Sequence, residues 1–291
     1  MAECQDRPVC FLQLKAFGDF VIANAAAERV AAQDRQRVTI AIGTHLQQLC
    51  EAVAPTVPVI TVASPEASVP AIFDIRKLGL SAALKSAWQV RRAVERAAIG
   101  RDALILVDGL GMRERFVIGS RPAIGMSAAT ANIYHGYDAL LQAAGIRLAP
   151  AQPARAATVR RAGIFPGSRI AAKNLPVALV ADLLNEAGRR GVSTDLYLLQ
   201  GERPDLEASG LPHIVMPRQF TALRAAIAGV DFVVSADSLP AHLAESLCID
   251  SFVITPRPNE FWMPRSVFDH RRWGLFNEPG LIARIGALLS A

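Results

Sequence analysis

The sequence predicts two α/β domains, each built on a Rossmann-like, doubly wound parallel sheet, and three observations support this fold class. The chain has 291 residues, which is more than one ordinary α/β layer needs and suits two domains. Short β-branched runs alternate with longer Ala-rich amphipathic stretches, the pattern of parallel βαβ units. The alternation stops at residues 147–157, which hold two prolines and no apolar periodicity, and then starts again. We therefore expect an N-terminal domain at residues 1–150, a linker, and a C-terminal domain at residues 158–291.

In the N-terminal half, apolar runs of strand length predict strands at residues 9–14, 38–42, 57–62 and 103–107. A 3.6-residue apolar period predicts helices at residues 81–99 and 134–144. The first of these helices is a long surface helix. Its predicted inner face includes Leu84 and Trp88, and its outer face includes Lys85 and Arg92.

The C-terminal half repeats the pattern. It predicts strands at residues 162–165, 194–199, 213–215, 232–235 and 251–255. Helices are predicted between them, at residues 176–190, 221–228 and 241–248. Two such sheets joined by a linker predict a cleft between their carboxyl edges, where ligands of open α/β folds bind.

Composition limits the class of protein. The chain is 52% hydrophobic and 20% charged, which indicates a compact globular protein. Its apolar runs are far shorter than the ~20 residues that cross a bilayer, and its N-terminus lacks the pattern of a secretory signal. The four cysteines lack CxxC spacing, so neither a disulfide framework nor a zinc site is predicted. We expect a cytoplasmic protein with reduced thiols.

The net charge of +5 comes mainly from arginine, whose planar guanidinium pairs well with phosphate groups. This balance predicts an anionic ligand or an anionic membrane surface. Basic residues of the N-terminal half are candidates to hold an anionic acceptor or such a surface: Arg76, Lys77, Lys85, Arg91 and Arg92. Nucleic acid is not predicted as a partner, because the basic residues are dispersed and aromatic residues form only 6% of the chain.

The first candidate site is Gly18-Asp19, which leaves a predicted strand and enters a predicted helix near Phe20. Gly18 permits a tight turn close to a ligand. Asp19 lies where a carboxylate caps a helix N-terminus, and this purely structural role is one interpretation. The other is a general base that takes a proton from an attacking hydroxyl. One carboxylate can perform both roles.

The second candidate site is Pro166-Gly167-Ser168 with Lys173 downstream, again a strand end followed by a turn of small residues. Successive N–H groups in such a turn form an anion-binding nest, and Lys173 adds a positive charge. A solvated loop with a surface lysine is the alternative.

The third candidate site runs from Asp237 to His242. A predicted strand ends just before it, Asp237 or Ser238 suits the cap of the next helix, and Pro240 suits its first turn. Leu239 lies in the same turn. Free N–H groups there predict a diphosphate site, to which His242 adds a hydrogen bond or a charge. A buried structural histidine is the alternative.

Several motifs are absent from the sequence. No GxxxxGK[ST] occurs, Asp108-Gly109-Leu110-Gly111 lacks the third glycine of a dinucleotide fingerprint, and no Asp-x-Asp is present to hold a metal on a nucleotide sugar. His242 and Glu245 alone are weak evidence for a metal site. We therefore predict neither a metal nor a cofactor, and expect charge on a leaving diphosphate to be met by side chains and helix N-termini.

Taken in order, these segments resemble glycosyltransferase family 9, the ADP-heptose:lipopolysaccharide heptosyltransferases and their relatives. The resemblance covers the Gly-Asp turn, residues 121–125, the Pro-Gly-Ser loop with Lys173, and the signature at residues 237–244. In the signature, Leu239 replaces the family's glycine. The resemblance implies a GT-B fold, with an acceptor domain first and a nucleotide-sugar donor domain second.

By this resemblance Asp19 is the catalytic base and Lys173 neutralises the departing phosphates. Asp237, Ser238 and His242 bind the donor, together with Gly18, Pro166, Gly167, Ser168 and Leu239. The implied reaction is metal-independent and inverting, from an ADP-heptose-like donor to a lipid-linked or glycan acceptor such as lipopolysaccharide core. It implies peripheral contact with the cytosolic face of the inner membrane. A nucleotide-sugar epimerase or hydrolase, and a catalytically silent nucleotide- or glycan-binding relative, are the alternatives.

Overall fold

The structure is a computed structural model that describes residues 7–63, 79–152 and 158–290. The chain divides into two compact units, Met1–Ala151 and Gln152–Ala291. Each unit is described by itself. Of the basic residues considered above, Arg76 and Lys77 lie outside the described residues.

The first unit contains a parallel five-stranded sheet, with the strand order β3-β2-β1-β4-β5. Its strands are β1 (Val9–Gln13), β2 (Val38–Gly43), β3 (Val59–Val62), β4 (Leu104–Val107) and β5 (Ala123–Gly125). The central strand β1 is buried almost throughout, as expected of a parallel strand covered on both faces. Four of these strands were predicted. The fifth, β5, was missed because three residues are too few to show a periodic pattern.

Five α-helices of the first unit are described: α1 (Phe17–Glu28), α2 (Gln47–Val53), α3 (Leu80–Arg96), α4 (Met112–Ile118) and α5 (Ile133–Ala143). The prediction for the inner face of α3 was partly wrong. Its buried stripe runs through Ala83, Ala87, Val90 and Val94, positions that recur every three or four residues. Leu84 and Trp88 lie beside this stripe and are 47% and 50% exposed.

The second unit contains a parallel six-stranded sheet, with the order β11-β10-β9-β6-β7-β8. Its strands are β6 (Arg161–Phe165), β7 (Ser193–Leu199), β8 (Ile214–Met216), β9 (Phe232–Ala236), β10 (Asp250–Thr255) and β11 (Trp273–Leu275). The described helices are α6 (Val177–Arg189), α7 (Pro204–Glu207), α8 (Phe220–Ala228), α9 (Leu239–Ser246), α10 (Arg265–Asp269) and α11 (Leu281–Leu289). Side chains of α6 and α11 join strand residues in one apolar core. The sequence patterns did not predict β11, α7, α10 or α11.

The predicted linker begins too early. Arg147 donates its N–H and its Nε–H to the Asp34 carboxylate, at 3.1 and 3.0 Å. Leu148 forms an antiparallel bridge with Val30, and Ala149 donates its N–H to Arg29. These bonds hold the segment on the first unit. Residues 153–157 of the predicted linker lie outside the described residues.

Each sheet reverses its strand order once. In the first unit the chain moves outward from β1 through β2 to β3, then returns to place β4 on the other side of β1. In the second unit β6, β7 and β8 are followed by β9 on the other side of β6. The carboxyl ends of β1 and β4, and of β6 and β9, therefore flank the switch points where α/β sheets bind ligands.

Candidate functional site

Lys173 and Asp237 meet at the switch point of the second unit. Lys173 lies in the loop that follows β6, and Asp237 directly follows β9, the neighbouring strand. The Lys173 ammonium donates to Asp237 Oδ2 at 2.8 Å. The lysine side chain is 24% exposed and the aspartate side chain 7%. The two residues, predicted as separate parts of a donor site, thus form one partly buried ion pair.

Asn259 completes this cluster. It follows β10, which lies on the other side of β9, and its Nδ2–H₂ donates to the same Asp237 oxygen at 2.7 Å. Two donors on one carboxylate oxygen hold the carboxylate in one orientation. The loops after β6 and β10, the two strands that flank β9, therefore each place one side chain on Asp237. We refer to Lys173, Asp237 and Asn259 as the Asp237 cluster.

His242 lies in α9 and is only 6% exposed. Burial lowers its pKa from 6.5 to about 4, with Asp237 opposing the shift and Lys173 adding to it. The imidazole is therefore neutral at pH 7. Of the two predicted contributions of His242, a hydrogen bond fits this neutral ring and a positive charge does not.

The loop at residues 166–175 is held by its own side chains. Asn174 Oδ1 accepts from the Ser168 N–H at 2.7 Å, and Ser168 Oγ accepts from the Ile170 N–H at 3.3 Å. Ser238 Oγ donates to Gly167 O at 3.0 Å and so joins this loop to the turn after β9. The predicted anion-binding nest has fewer free N–H donors than expected, because the Ser168 N–H already donates to Asn174 within the loop.

Gly167 packs directly against Glu202, which follows Gly201 in the turn after β7. A Cβ atom at position 167 would collide with the Glu202 carboxylate. Burial raises the pKa of Glu202, opposed by the charges of Arg218 and Arg203. A side chain at position 167, within the predicted phosphate loop, would therefore have to displace the Glu202 carboxylate.

The N-terminus of α9 offers fewer donors than predicted. Ser238 occupies the N-cap position, but its hydroxyl accepts no capping bond and donates to Gly167 O and Ala236 O. Pro240 has no N–H, and the Ala241 N–H donates to Ser238 O at 3.2 Å. Leu239 is the first helical residue and is half-buried.

Glu245 has a different role from the metal ligand considered above. Its Oε2 accepts from the Ser266 N–H at 3.0 Å and from the Ser266 hydroxyl at 2.5 Å. These bonds hold the first turn of α10. Within residues 7–63, 79–152 and 158–290, no group of three or more His, Cys, Asp or Glu side chains is placed to hold a metal ion.

In the first unit, Gly18 and Asp19 both lie inside the first turn of α1, which begins at Phe17 rather than near Phe20. Asp19 is therefore the third helical residue rather than the N-cap. Its carboxylate accepts from the N–H of Ala16, the actual N-cap residue, at 3.4 Å. The turn that was assigned to Gly18 is made by Lys15 and Ala16.

A second Lys–Asp pair lies at the switch point of the first unit. Lys15 follows β1, and its ammonium donates to both Asp108 oxygens, at 2.9 and 3.0 Å. Glu114 lies 3.7 Å from the same nitrogen. Nearby, Gln13 donates to the hydroxyl of Tyr137 at 2.7 Å, and burial raises the pKa of this tyrosine well above its usual value.

The sequence patterns give no role to Asp108, Glu202 or Asn259, although each lies soon after the end of a strand. Asp108-Gly109 was considered only as an incomplete dinucleotide fingerprint, and residues 255–259 received no role of their own. Gln200-Gly201 after β7 marks a turn, with Gly201 in the left-handed region. The signal common to all three is a polar side chain soon after a strand.

None of the helices in the described part of the chain has the length and apolar character required to cross a membrane.

No protein-family model and no curated protein matches the sequence. Solved structures do. A glycosyl transferase family 9 structure from Veillonella parvula DSM 2008 matches with a TM-score of 0.62 at 16% identity, over 94% of this chain and 86% of that chain. E. coli heptosyltransferase WaaC with ADP matches at 0.64 and 14%, and E. coli ADP-heptose lps heptosyltransferase II at 0.60 and 14%. Each of these two covers 97% of this chain and 98% of its own. The predicted fold class, two parallel-sheet α/β domains of GT-B type, is confirmed.

Proposed function

We propose that this chain is a family 9-like glycosyltransferase that takes a sugar from a nucleoside diphosphate donor held by the second unit. The observation that carries the proposal is the Asp237 cluster at the switch point between β6 and β9. Structural neighbours whose names include ADP or ADP-heptose support a nucleotide-sugar donor. The heptose-like sugar follows from the resemblance of the signature segment.

The charges of the cluster indicate which side chain stabilises the negative charge of the leaving diphosphate. Lys173 and Asp237 carry opposite charges and His242 is neutral at pH 7, so the three side chains sum to zero before a donor binds. A diphosphate placed here competes with Asp237 for the Lys173 ammonium. Hydroxyl groups of the donor then replace the lysine on the Asp237 carboxylate. Lys173 stabilises the charge that develops on the departing diphosphate without a metal ion.

The transfer step is a single displacement. The oxygen of an acceptor hydroxyl attacks the anomeric carbon while the bond from that carbon to the diphosphate oxygen breaks. The acceptor proton passes to the Asp19 carboxylate, and the electron pair of the broken bond leaves with the nucleoside diphosphate. Attack from the face opposite the leaving group inverts the anomeric configuration.

The donor site is tested by binding. The wild type is titrated with ADP, GDP, UDP, CDP and dTDP by thermal shift and calorimetry, since a ligand of the folded state raises apparent stability. We expect one of them to bind, and Lys173→Met and Asp237→Asn to weaken it by about tenfold or more. Asp182→Asn, at an exposed position of α6, is the matched control. If the wild type binds none of the five, the donor site does not exist.

The base is tested separately. Asp19→Asn should keep the donor affinity and lose turnover by about 10²-fold or more. Unchanged turnover would remove Asp19 from the reaction while leaving the enzyme class standing. Product analysis with and without acceptor separates transfer from epimerisation or hydrolysis, because only transfer requires the acceptor.

A catalytically silent nucleotide-binding protein is the second candidate, and two observations favour it. Leu239 stands where the family signature has glycine, and the first turn of α9 has lost donors to Pro240 and to the bond from Ala241 to Ser238. Leu239→Gly decides between the candidates. A gain of turnover in this variant, from a wild type that binds nucleotide without turning it over, would support the silent protein.

For the acceptor we propose a lipid-linked or cell-envelope glycan such as lipopolysaccharide core, reached from the cytosolic face of the inner membrane by a peripheral protein. The first unit exposes an apolar strip along α3 formed by Leu80, Leu84 and Trp88, which recur every four residues; Met112, the first residue of α4, is also exposed, at 91%. Arg92 lies 5.7 Å from the Trp88 ring. Apolar side chains beside exposed cations suit the boundary of an anionic bilayer.

This surface is tested by co-sedimentation with vesicles of phosphatidylcholine, alone or mixed with phosphatidylglycerol. We expect the wild type to bind the anionic vesicles, and the double variant Leu84→Glu/Trp88→Glu to bind them at least about tenfold more weakly. Val215→Glu, at an exposed apolar position on β8, is the control. Equal sedimentation of all three proteins would overturn the membrane proposal without affecting the donor site.

A further inference from the structure

Arg203 is a buried arginine that bonds to the loop carrying Lys173. It lies at the turn between β7 and α7 and is 2% exposed. Its Nη1 donates to Pro166 O at 3.1 Å and its Nη2 to Leu175 O at 2.8 Å. Pro166 and Leu175 are the two ends of the loop that carries Lys173, and the Leu175 N–H donates to Pro166 O at 2.9 Å. The guanidinium therefore lies across the neck of this loop.

Asp205 holds the guanidinium in place. It accepts from Arg203 Nε at 2.8 Å and from Nη2 at 2.7 Å, a bidentate pair on the outer side of the arginine. The hydrogen bonds from Arg203 lower the pKa of this carboxyl group. One planar group thus bonds an aspartate on one side and two main-chain carbonyls on the other. A lysine ammonium, a single point donor, does not reproduce this geometry.

The geometry points to Arg203 as a positioning residue for Lys173, an inference that rests on the proposed donor site. With its neck closed by Arg203, the loop is short and internally bonded. The Lys173 N–H donates to Ile170 O at 2.8 Å and the Asn174 N–H to Ala171 O at 3.0 Å. A fixed loop places the Lys173 ammonium on Asp237, where an arriving diphosphate meets it. Arg203 itself does not touch the donor.

The inference predicts that loosening the neck frees the loop. Arg203→Lys keeps the charge and the apolar stem but loses the fork, and Asp205→Asn loosens the same fork from outside. Amide hydrogen exchange at Lys173, Asn174 and Leu175 should become about tenfold faster or more in both variants, while protection in β10 stays unchanged. Arg190→Lys, at the end of α6 in a pair with Glu186, is the matched control. Unchanged exchange in the loop would overturn the inference.

A double-mutant cycle tests whether the loop acts through Lys173. The ligand is whichever of ADP, GDP, UDP, CDP and dTDP binds the wild type most tightly. Arg203→Lys should weaken binding about tenfold in the wild type and less than about twofold in Lys173→Met, because only a residue acting through Lys173 loses its effect there. Equal weakening in both backgrounds would show a merely structural role. If the wild type binds none of the five, the donor site fails, and the exchange experiment still decides how Arg203 acts.

Discussion

The pH dependence of stability tests whether His242 is buried as a neutral imidazole in the second unit. The histidine is buried, and its pKa of about 4 lies below the 6.5 expected of an unfolded chain. As the pH falls, the unfolded state therefore binds the proton first. The stability contributed by the neutral histidine is fully present above about pH 7 and is lost between about pH 6.5 and 4.

The size of the effect follows from the two pKa values. Linkage gives a loss of about 2 kcal/mol in the free energy of unfolding at pH 5 relative to pH 8, rising to about 3 kcal/mol at pH 4. The comparison protein is His242→Gln, which lacks the titrating group. Wild type and variant share all other titrating residues, so the difference between their unfolding free energies isolates His242.

Urea denaturation in a Trp88→Phe background is a suitable assay. The chain has three tryptophans, and the remaining two, Trp262 and Trp273, both belong to the second unit. Their fluorescence therefore reports that unit alone. We expect the stability advantage of wild type over His242→Gln to shrink by about 2 kcal/mol between pH 8 and pH 5. An advantage that changes by less than about 0.5 kcal/mol, or an NMR titration of His242 near pH 6.5, would refute the reasoning.

Two further predictions concern local packing. Gly167→Ala should destabilise the second unit by about 1–2 kcal/mol, because the new Cβ displaces the Glu202 carboxylate, and a second change, Glu202→Ala, should restore at least half of the loss. Gly188→Ala, where a Cβ meets nothing within 4 Å, should instead be neutral or stabilise by up to about 1 kcal/mol in the same denaturation assay. In the first unit Asn132→Ala should cost about 1 kcal/mol by calorimetry, since Asn132 accepts from the Tyr134 N–H at the N-cap of α5. If neither Gly167→Ala nor Asn132→Ala lowered the free energy of unfolding, these contacts would not stabilise the fold.

The strands were the most predictable part of the fold. Buried parallel strands such as β1 and β4 contain continuous apolar runs of four residues, and a run of that kind stands out in a sequence. Short helices were not predictable in the same way. The seven residues of α2 and of α4 contain about two turns, too few to show a 3.6-residue period.

Candidate residues could be named from the sequence, but the contacts among them could not. Lys173 and Asp237 each follow a strand end and were identified as candidates. Their ion pair depends on β6 and β9 being neighbours, which follows from the order of strands and not from local sequence. The neutral state of His242 likewise depends on burial by surrounding elements. Asn259 enters the site because β10 lies next to β9.

The ion pair between Lys173 and Asp237 has a consequence for discrimination among anions. Sulfate or inorganic phosphate brings charge for Lys173 but few hydroxyl groups to take its place on Asp237. Such an ion would leave the Asp237 carboxylate, whose side chain is only 7% exposed, with Asn259 as a remaining donor. A ligand that brings phosphate and hydroxyl groups together satisfies both partners at once. Under the proposed function, the pair therefore requires both groups at once: abundant cellular anions should compete poorly for the site, and an intact nucleotide sugar should bind better than its separate parts.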